Sequence, residues 1–233
     1  MKYLYLLLDI GSLSIPFLYS FHPKLKLYSS WKPIGLALLS TMLIFIPWDT
    51  IFTANGFWGF NEAYYLNYRI LGLPIEEWLF FICIPYACIF TYYALLYYFP
   101  NMGFSEHTTK IITLLLAFLF VVLGIAYHDR WYTFTVSLYA LFCTLAVLKW
   151  NPRLLARFYP VFLVILLPFF LINGTLTGSF IADEVVWYNN DENIGFRLFT
   201  IPVEDTIYAF ALLVTNIFLV EFYKERLFQK QRI

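Results

Sequence analysis

Seven apolar runs, each close to the length needed to cross a bilayer, account for most of this chain. A helix needs about 20 residues to span a hydrocarbon core. Residues 3–20, 34–53, 75–99, 111–127, 132–149, 160–181 and 203–223 form runs near that length. The breaks "FHPKLK", "YFPNMG", "YHDRW" and "KWNPR" carry the proline, glycine and charge signals of turns. In lipid, backbone N–H and C=O groups must be satisfied internally, so such runs fold as helices. Only 13% of residues are charged, about half the share in a soluble domain. The chain therefore reads as an all-α integral membrane protein with about seven transmembrane helices.

The first run, "MKYLYLLLDIGSLSIPFLYSF", has the length of a secretory signal, but Asp9 interrupts it and no small-residue cleavage site follows. It reads as a retained first helix. Cys83, Cys88 and Cys143 all fall inside apolar runs, with no His or Cys at ligand spacing, which points to packed thiols and no metal site. Charge sets the direction. With the N-terminus outside, the inner side collects eleven of the fifteen basic residues, and eleven of the fifteen acids gather at the outer edge. The positive-inside rule then gives a multi-pass protein of the cell membrane with a cytoplasmic C-terminus. The basic tail, Lys224, Arg226, Lys230 and Arg232, is ordinary for a cytoplasmic end and implies no nucleic-acid partner.

A repeat at an offset of 128 residues organises the chain. Asn61 aligns with Asn189, Tyr68 with Phe196, Arg69 with Arg197, Pro74 with Pro202, and Glu76-Glu77 with Glu204-Asp205. Upstream, "IPWDTIFT" resembles "LINGTLTG" once a four-residue shift is allowed, which pairs Asp49 with Asn173. Duplication of this kind gives a first three-helix repeat at 1–100 with the PIEE motif and a linking helix at 101–130. A second three-helix repeat at 131–233 carries the PVED motif and the basic tail. One joining helix restores the chain direction, so the two repeats are parallel and both acidic motifs reach the same face of the membrane.

Paired acids at a helix start need no function, because the orphan N–H groups and the helix dipole welcome negative charge there. Bare capping would not, however, require Asn and Arg in register twice. Adjacent helical residues lie about 100° apart, so one acid of each pair is expected to face a cleft between the halves. Glu76 and Glu204 are the favoured two, with Glu77 and Asp205 as the alternatives. Two carboxyl groups in one apolar cleft are expected to share a proton, giving an acid and a base side by side. Arg69 and Arg197 would either hold one acid ionised or snorkel to the headgroups. Aromatic residues make up 22% of the chain and crowd both motifs, Trp78 and Tyr208 among them. Interfacial belts explain many of these, yet aromatic faces also stabilise cations without attacking them. The candidate catalytic residues are Glu76, Glu77, Glu204 and Asp205. The candidate substrate-binding residues are Arg69, Arg197, Asn61, Asn189, Asp49, Trp78 and Tyr208. A proton donor, a proton acceptor and an aromatic lining suit the carbocation rearrangement of a hydrocarbon.

At "LPIEEWLFF" and "IPVEDTIYAF", each behind an Asn and an Arg, the chain resembles the small membrane lycopene cyclases, the heterodimer-type carotenoid cyclases of bacteria, archaea and fungi. The resemblance covers about 1–223, with the two halves fused in one chain; Asp49 departs from it in having only Asn173 opposite. It implies a lycopene β-cyclase, an intramolecular lyase or isomerase of carotenoid biosynthesis that closes ψ end groups into β-ionone rings, giving γ-carotene or β-carotene. One carboxylic acid would protonate the terminal double bond, the C5=C6 bond would close the ring, and a carboxylate would remove the C6 proton; a different choice of proton would give an ε or γ ring. The implied partners are lycopene or a related linear carotenoid, the lipid bilayer and enzymes of the same pathway. No G-x-G-x-x-G occurs, so neither flavin nor nicotinamide is expected. The rival readings are another membrane terpene or prenyl cyclase using the same acids, and a small parallel-repeat transporter. Pro47 and Pro168 fall in second helices and Pro85 in a third, which fits such a transporter poorly.

Overall fold

Each apolar run forms a helix in the computed structural model, which describes residues 1–229. In chain order these are α1 (Leu4–Tyr19), α2 (Trp31–Ala54), α3 (Ile75–Tyr98), α4 (Glu106–Ala126), α5 (Trp131–Trp150), α6 (Pro152–Leu176) and α7 (Val203–Gln229). Six of the helices, α2 to α7, are long and apolar enough to cross a membrane; α1 is apolar but has only 16 residues. Lys230 and Arg232 of the basic tail lie outside the described residues.

One boundary departs widely from the expectation. Helix α6 begins at Pro152, eight residues before the apolar run at 160–181, and ends at Leu176. Proline at the first helical position loses no hydrogen bond, and the Asn151 side chain accepts from the Leu154 N–H at 3.2 Å as the cap. The helix then runs through Pro160 and Pro168. Its first two turns carry Arg153 and Arg157, which break the apolar run, so apolar length alone places the start too late.

The halves pack by exchange. Helix α1 lies along α3, α5 along α7, and α2 of the first half packs on α7 of the second, while α6 packs on α3. The linking helix α4 covers α5 and α6. Beyond α2 the chain forms β1 (Trp58–Phe60), and beyond α6 it forms β4 (Val186–Tyr188); the two strands pair antiparallel. Their register is Trp58 with Tyr188, Gly59 with Trp187 and Phe60 with Val186. Shifted by 128 residues, each pair maps onto another of the same set, as in an isologous two-fold contact. A pseudo-two-fold axis therefore passes at Gly59 and Trp187. A Cβ on Gly59 would stand 2.4 Å from Trp187 Cζ2, so only glycine leaves room for the indole there.

Before each acidic helix the chain turns in a two-stranded hairpin. These are β2 (Arg69–Ile70) with β3 (Leu73–Pro74), and β5 (Arg197–Leu198) with β6 (Ile201–Pro202). The loop residues Leu71 and Phe199 occupy the left-handed region at φ 53° and 59°. Both are exposed, as is fitting for apolar tips at the membrane interface.

Candidate active site

The duplicated motif turns out to be a structural cassette with one side chain left over. Asn61 Oδ1 accepts from the Ala63 N–H, and Asn189 Oδ1 from the Asp191 N–H, both at 3.0 Å, closing matching turns. Arg69 braces its hairpin through the Gly72 carbonyl at 3.3 Å and Glu62 at 3.4 Å. Arg197 does the same through the Thr200 carbonyl at 2.7 Å and Asn190 at 3.0 Å. Glu76 accepts from the Leu66 N–H at 2.8 Å, and Glu204 from the Ile194 N–H at 2.7 Å and the Thr133 hydroxyl at 2.6 Å. These first acids hold the loops against the helix starts. They do not line the cleft, contrary to the preference for Glu76 and Glu204; the hairpin geometry turns the second acid inward instead.

Glu77 and Asp205 line one apolar cavity of about 540 Å³, together with Asp49 and Tyr208. Arg69, Arg197, Asn61, Asn189 and Trp78 do not border it, because their polar groups are taken up by the loops; the Trp78 indole donates to the Ile70 carbonyl at 3.2 Å. The walls come from α1, α3, α6 and α7, floored by Trp58, Phe60 and Tyr188 of the paired strands. From Glu77 to Thr91 along α3 the groove runs about 21 Å, at 1.5 Å of rise per residue. Exposed Leu7, Ile15 and Leu171 stand on its rim, between α1 and α6.

The two inward acids have unequal surroundings. Asp205 receives three donors: the hydroxyls of Tyr132 at 2.7 Å and Tyr188 at 2.9 Å, and the Asn173 amide at 2.9 Å. Burial, then the nearby Asp205 charge, keeps the Tyr188 hydroxyl well above the ordinary tyrosine range, so it remains a donor. Glu77 accepts from the Tyr5 hydroxyl at 2.5 Å and lines the same cavity as Asp49. Asp49 also accepts from Tyr208 at 3.0 Å, a contact that crosses from one half to the other. Two carboxylates offer no donor to one another, so Glu77 and Asp49 could share a hydrogen bond only with a proton on one of them. Asp49 and Asn173 thus occupy matching places, each on a second helix against the cleft acid, as the shifted alignment pairs them.

Three participants escaped the sequence reading. Tyr5 and Tyr132 stand at corresponding places on α1 and α5, but at an offset of 127 rather than 128, which hides them from a fixed-offset alignment. Asp9 is buried and has no hydrogen-bond partner for either oxygen among the described residues. An acid in the middle of an apolar run was its one signal. Helix α5 carries no acidic residue, and the first half buries four carboxyl groups, Asp9, Asp49, Glu76 and Glu77, against Glu204 and Asp205 in the second.

The pseudo-symmetric crevice between α2 and α5 is filled. Phe45 and Trp48 pack on Tyr139 with ring centroids 5.2 and 5.8 Å apart. In the open groove the matching positions are Phe169, Ile172 and Ser12. A serine facing the space where its counterpart is tyrosine leaves one groove, with both inward acids in it.

The family model described as lycopene cyclase matches residues 2–95 and 129–223, the two repeated segments. No curated protein and no solved structure matches the chain. A helical bundle with six helices apolar and long enough to cross a membrane, an apolar groove and buried carboxyl groups is what the two matched segments encode; the chain belongs to the lycopene cyclase family.

Proposed function

We propose that the chain converts lycopene, or a related linear carotenoid, to cyclic product by redox-neutral acid–base catalysis. The Glu77–Asp49 pair is the proton source and Asp205 the base. The observation that carries this reading is the unequal environment of two inward acids in one apolar groove. A proton from Glu77 adds to C2 of a ψ end, leaving a tertiary cation at C1. The C5=C6 double bond attacks C1, closing a six-membered ring and moving the charge to C5. Asp205 then takes the C6 proton, giving the β-ionone ring, so one proton enters and one leaves. Trp58, Phe60, Tyr132 and Tyr188 present aromatic faces that stabilise the cation without capturing it. With the second crevice filled, a single groove serves one end of the polyene at a time. A monocyclic product must leave and re-enter by its other end before a second ring closes.

The positive-inside reading supports an outer N-terminus, with the carboxyl groups toward the outer leaflet. The test is direct conversion by purified chain in lipid vesicles loaded with lycopene, without flavin or nicotinamide. The expected product is an isomer of unchanged mass carrying one or two β-rings. An absolute need for a redox cofactor, or a product of altered mass, would refute the acid–base reading.

A further inference from the structure

At the end of the bundle away from the carboxyl groups, a second cavity of about 630 Å³ opens between the α1–α2 loop, the end of α3, the start of α6 and the end of α7. Three separate stretches of chain bring cations to it: Lys26 from the loop, Arg153 and Arg157 from α6, and Lys224 from α7. Glu221 is the one acid in the wall. It is already engaged, accepting from the Tyr93 hydroxyl and pairing with Lys224 at 3.6 Å. Lys224 also sits over the Tyr93 ring, 3.7 Å from its centroid.

Among the described residues, Lys26, Arg153 and Arg157 form no ion pair. The two arginines are one turn apart on the same face of α6, and they also border the adjoining cavity that holds Glu106 and Lys110. Asn151 spends its side-chain oxygen on the Leu154 N–H, which leaves its amide group to donate. Leu25, Leu27, Phe90, Ala94, Leu96 and Leu154 make the apolar part of the wall. The surplus charge is therefore concave, fed by distinct elements and backed by apolar surface, which a scattered basic rim is not.

We propose that this pocket binds the phosphate group of an anionic glycerophospholipid, with Arg153 and Arg157 as the principal ligands and Lys26 closing the site. Arginine forks match phosphate oxygens, and basic pockets between membrane helices on the cytoplasmic side take up anionic headgroups. The orientation drawn from charge puts this end at the leaflet where such lipids gather. The site stands independently of the chemistry at the other end.

The test is native mass spectrometry of the full chain in neutral detergent, titrated separately with phosphatidylglycerol, phosphatidylcholine and inorganic phosphate. Phosphatidylglycerol should be retained preferentially as a one-to-one adduct. R153Q/R157Q should weaken that adduct about thirtyfold, from the typical contribution of two basic residues near a charged headgroup. K26Q should weaken it several-fold, and K24Q, a loop lysine outside the cavity, should leave it unchanged. Circular dichroism of each variant checks that the helices persist, which the exposed position of both arginines favours. Equal retention of the two lipids, undiminished binding by R153Q/R157Q, or inorganic phosphate binding as tightly as the lipid would each overturn the proposal.

Discussion

Replacing Asp49 by asparagine tests the division of labour between the two inward acids. The substitution converts the first half into a copy of the second, where Asn173 donates to Asp205 at 2.9 Å. The introduced amide would keep a carbonyl oxygen as acceptor for Tyr208, now bonded at 3.0 Å, and would offer Glu77 an N–H donor in place of a shared proton. Every buried hydrogen bond thus retains a partner, and stability should change by no more than about 1 kcal/mol. The chemistry should change far more. With an amide donating to it, Glu77 needs no proton to satisfy its neighbour, and the general acid is lost. General acid catalysis contributes roughly 10²–10⁴ in rate, or about 3–5 kcal/mol of barrier. Single-turnover conversion of lycopene by the purified Asp49→Asn variant should slow by at least about 100-fold. A thermal melt should stay within a few degrees of wild type. Asp49→Ala separates the effects further: it strands the Tyr208 hydroxyl in a buried site, at about 1–3 kcal/mol, so it should lose stability as well. A fully active Asp49→Asn enzyme would refute the shared-proton assignment.

Two other substitutions test the architecture. Ser12→Tyr gives α1 the residue that closes the matching crevice on α5, so lycopene conversion should fall to background while the melting temperature is kept; undiminished conversion would mean the groove is not the substrate path. Gly59→Ala puts a methyl group 2.4 Å from Trp187 Cζ2, and overpacking of this kind costs about 1–3 kcal/mol. A lowered melting temperature is the expected readout, and an unchanged one would remove the strand pair at the pseudo-two-fold axis as a brace between the halves.

Much of this fold could be read before any coordinates. The seven runs are legible because lipid leaves the backbone no alternative to helix, and the repeat is legible because hairpin, turn and helix start each demand their own residue types. The start of α6 was not, since Arg153 and Arg157 in its first turns break the apolar signal. Which acid of each pair faces inward was not either. Glu76 and Glu77 differ by a rotation of about 100°, and only the docking of the preceding hairpin on the helix fixes that rotation. The contacts of the arginines and asparagines were not legible for the same reason. Their spacing is the same in both halves because of the hairpins they brace, and a brace looks like a site when only its register is visible. Tyr5, Tyr132 and Asp9 lie on helices whose alignment slips by one residue or lacks a counterpart, so the repeat gave them no emphasis.

Comparing four amide variants in a lycopene-accumulating bacterium puts the whole scheme to a single pigment measurement. Glu77→Gln and Asp205→Asn should leave the cells red with lycopene. Glu76→Gln and Glu204→Gln, which keep the acceptors for the Leu66 and Ile194 N–H groups, should still yield cyclic pigment. Cyclic product from Glu77→Gln or Asp205→Asn at the wild-type level would contradict the account.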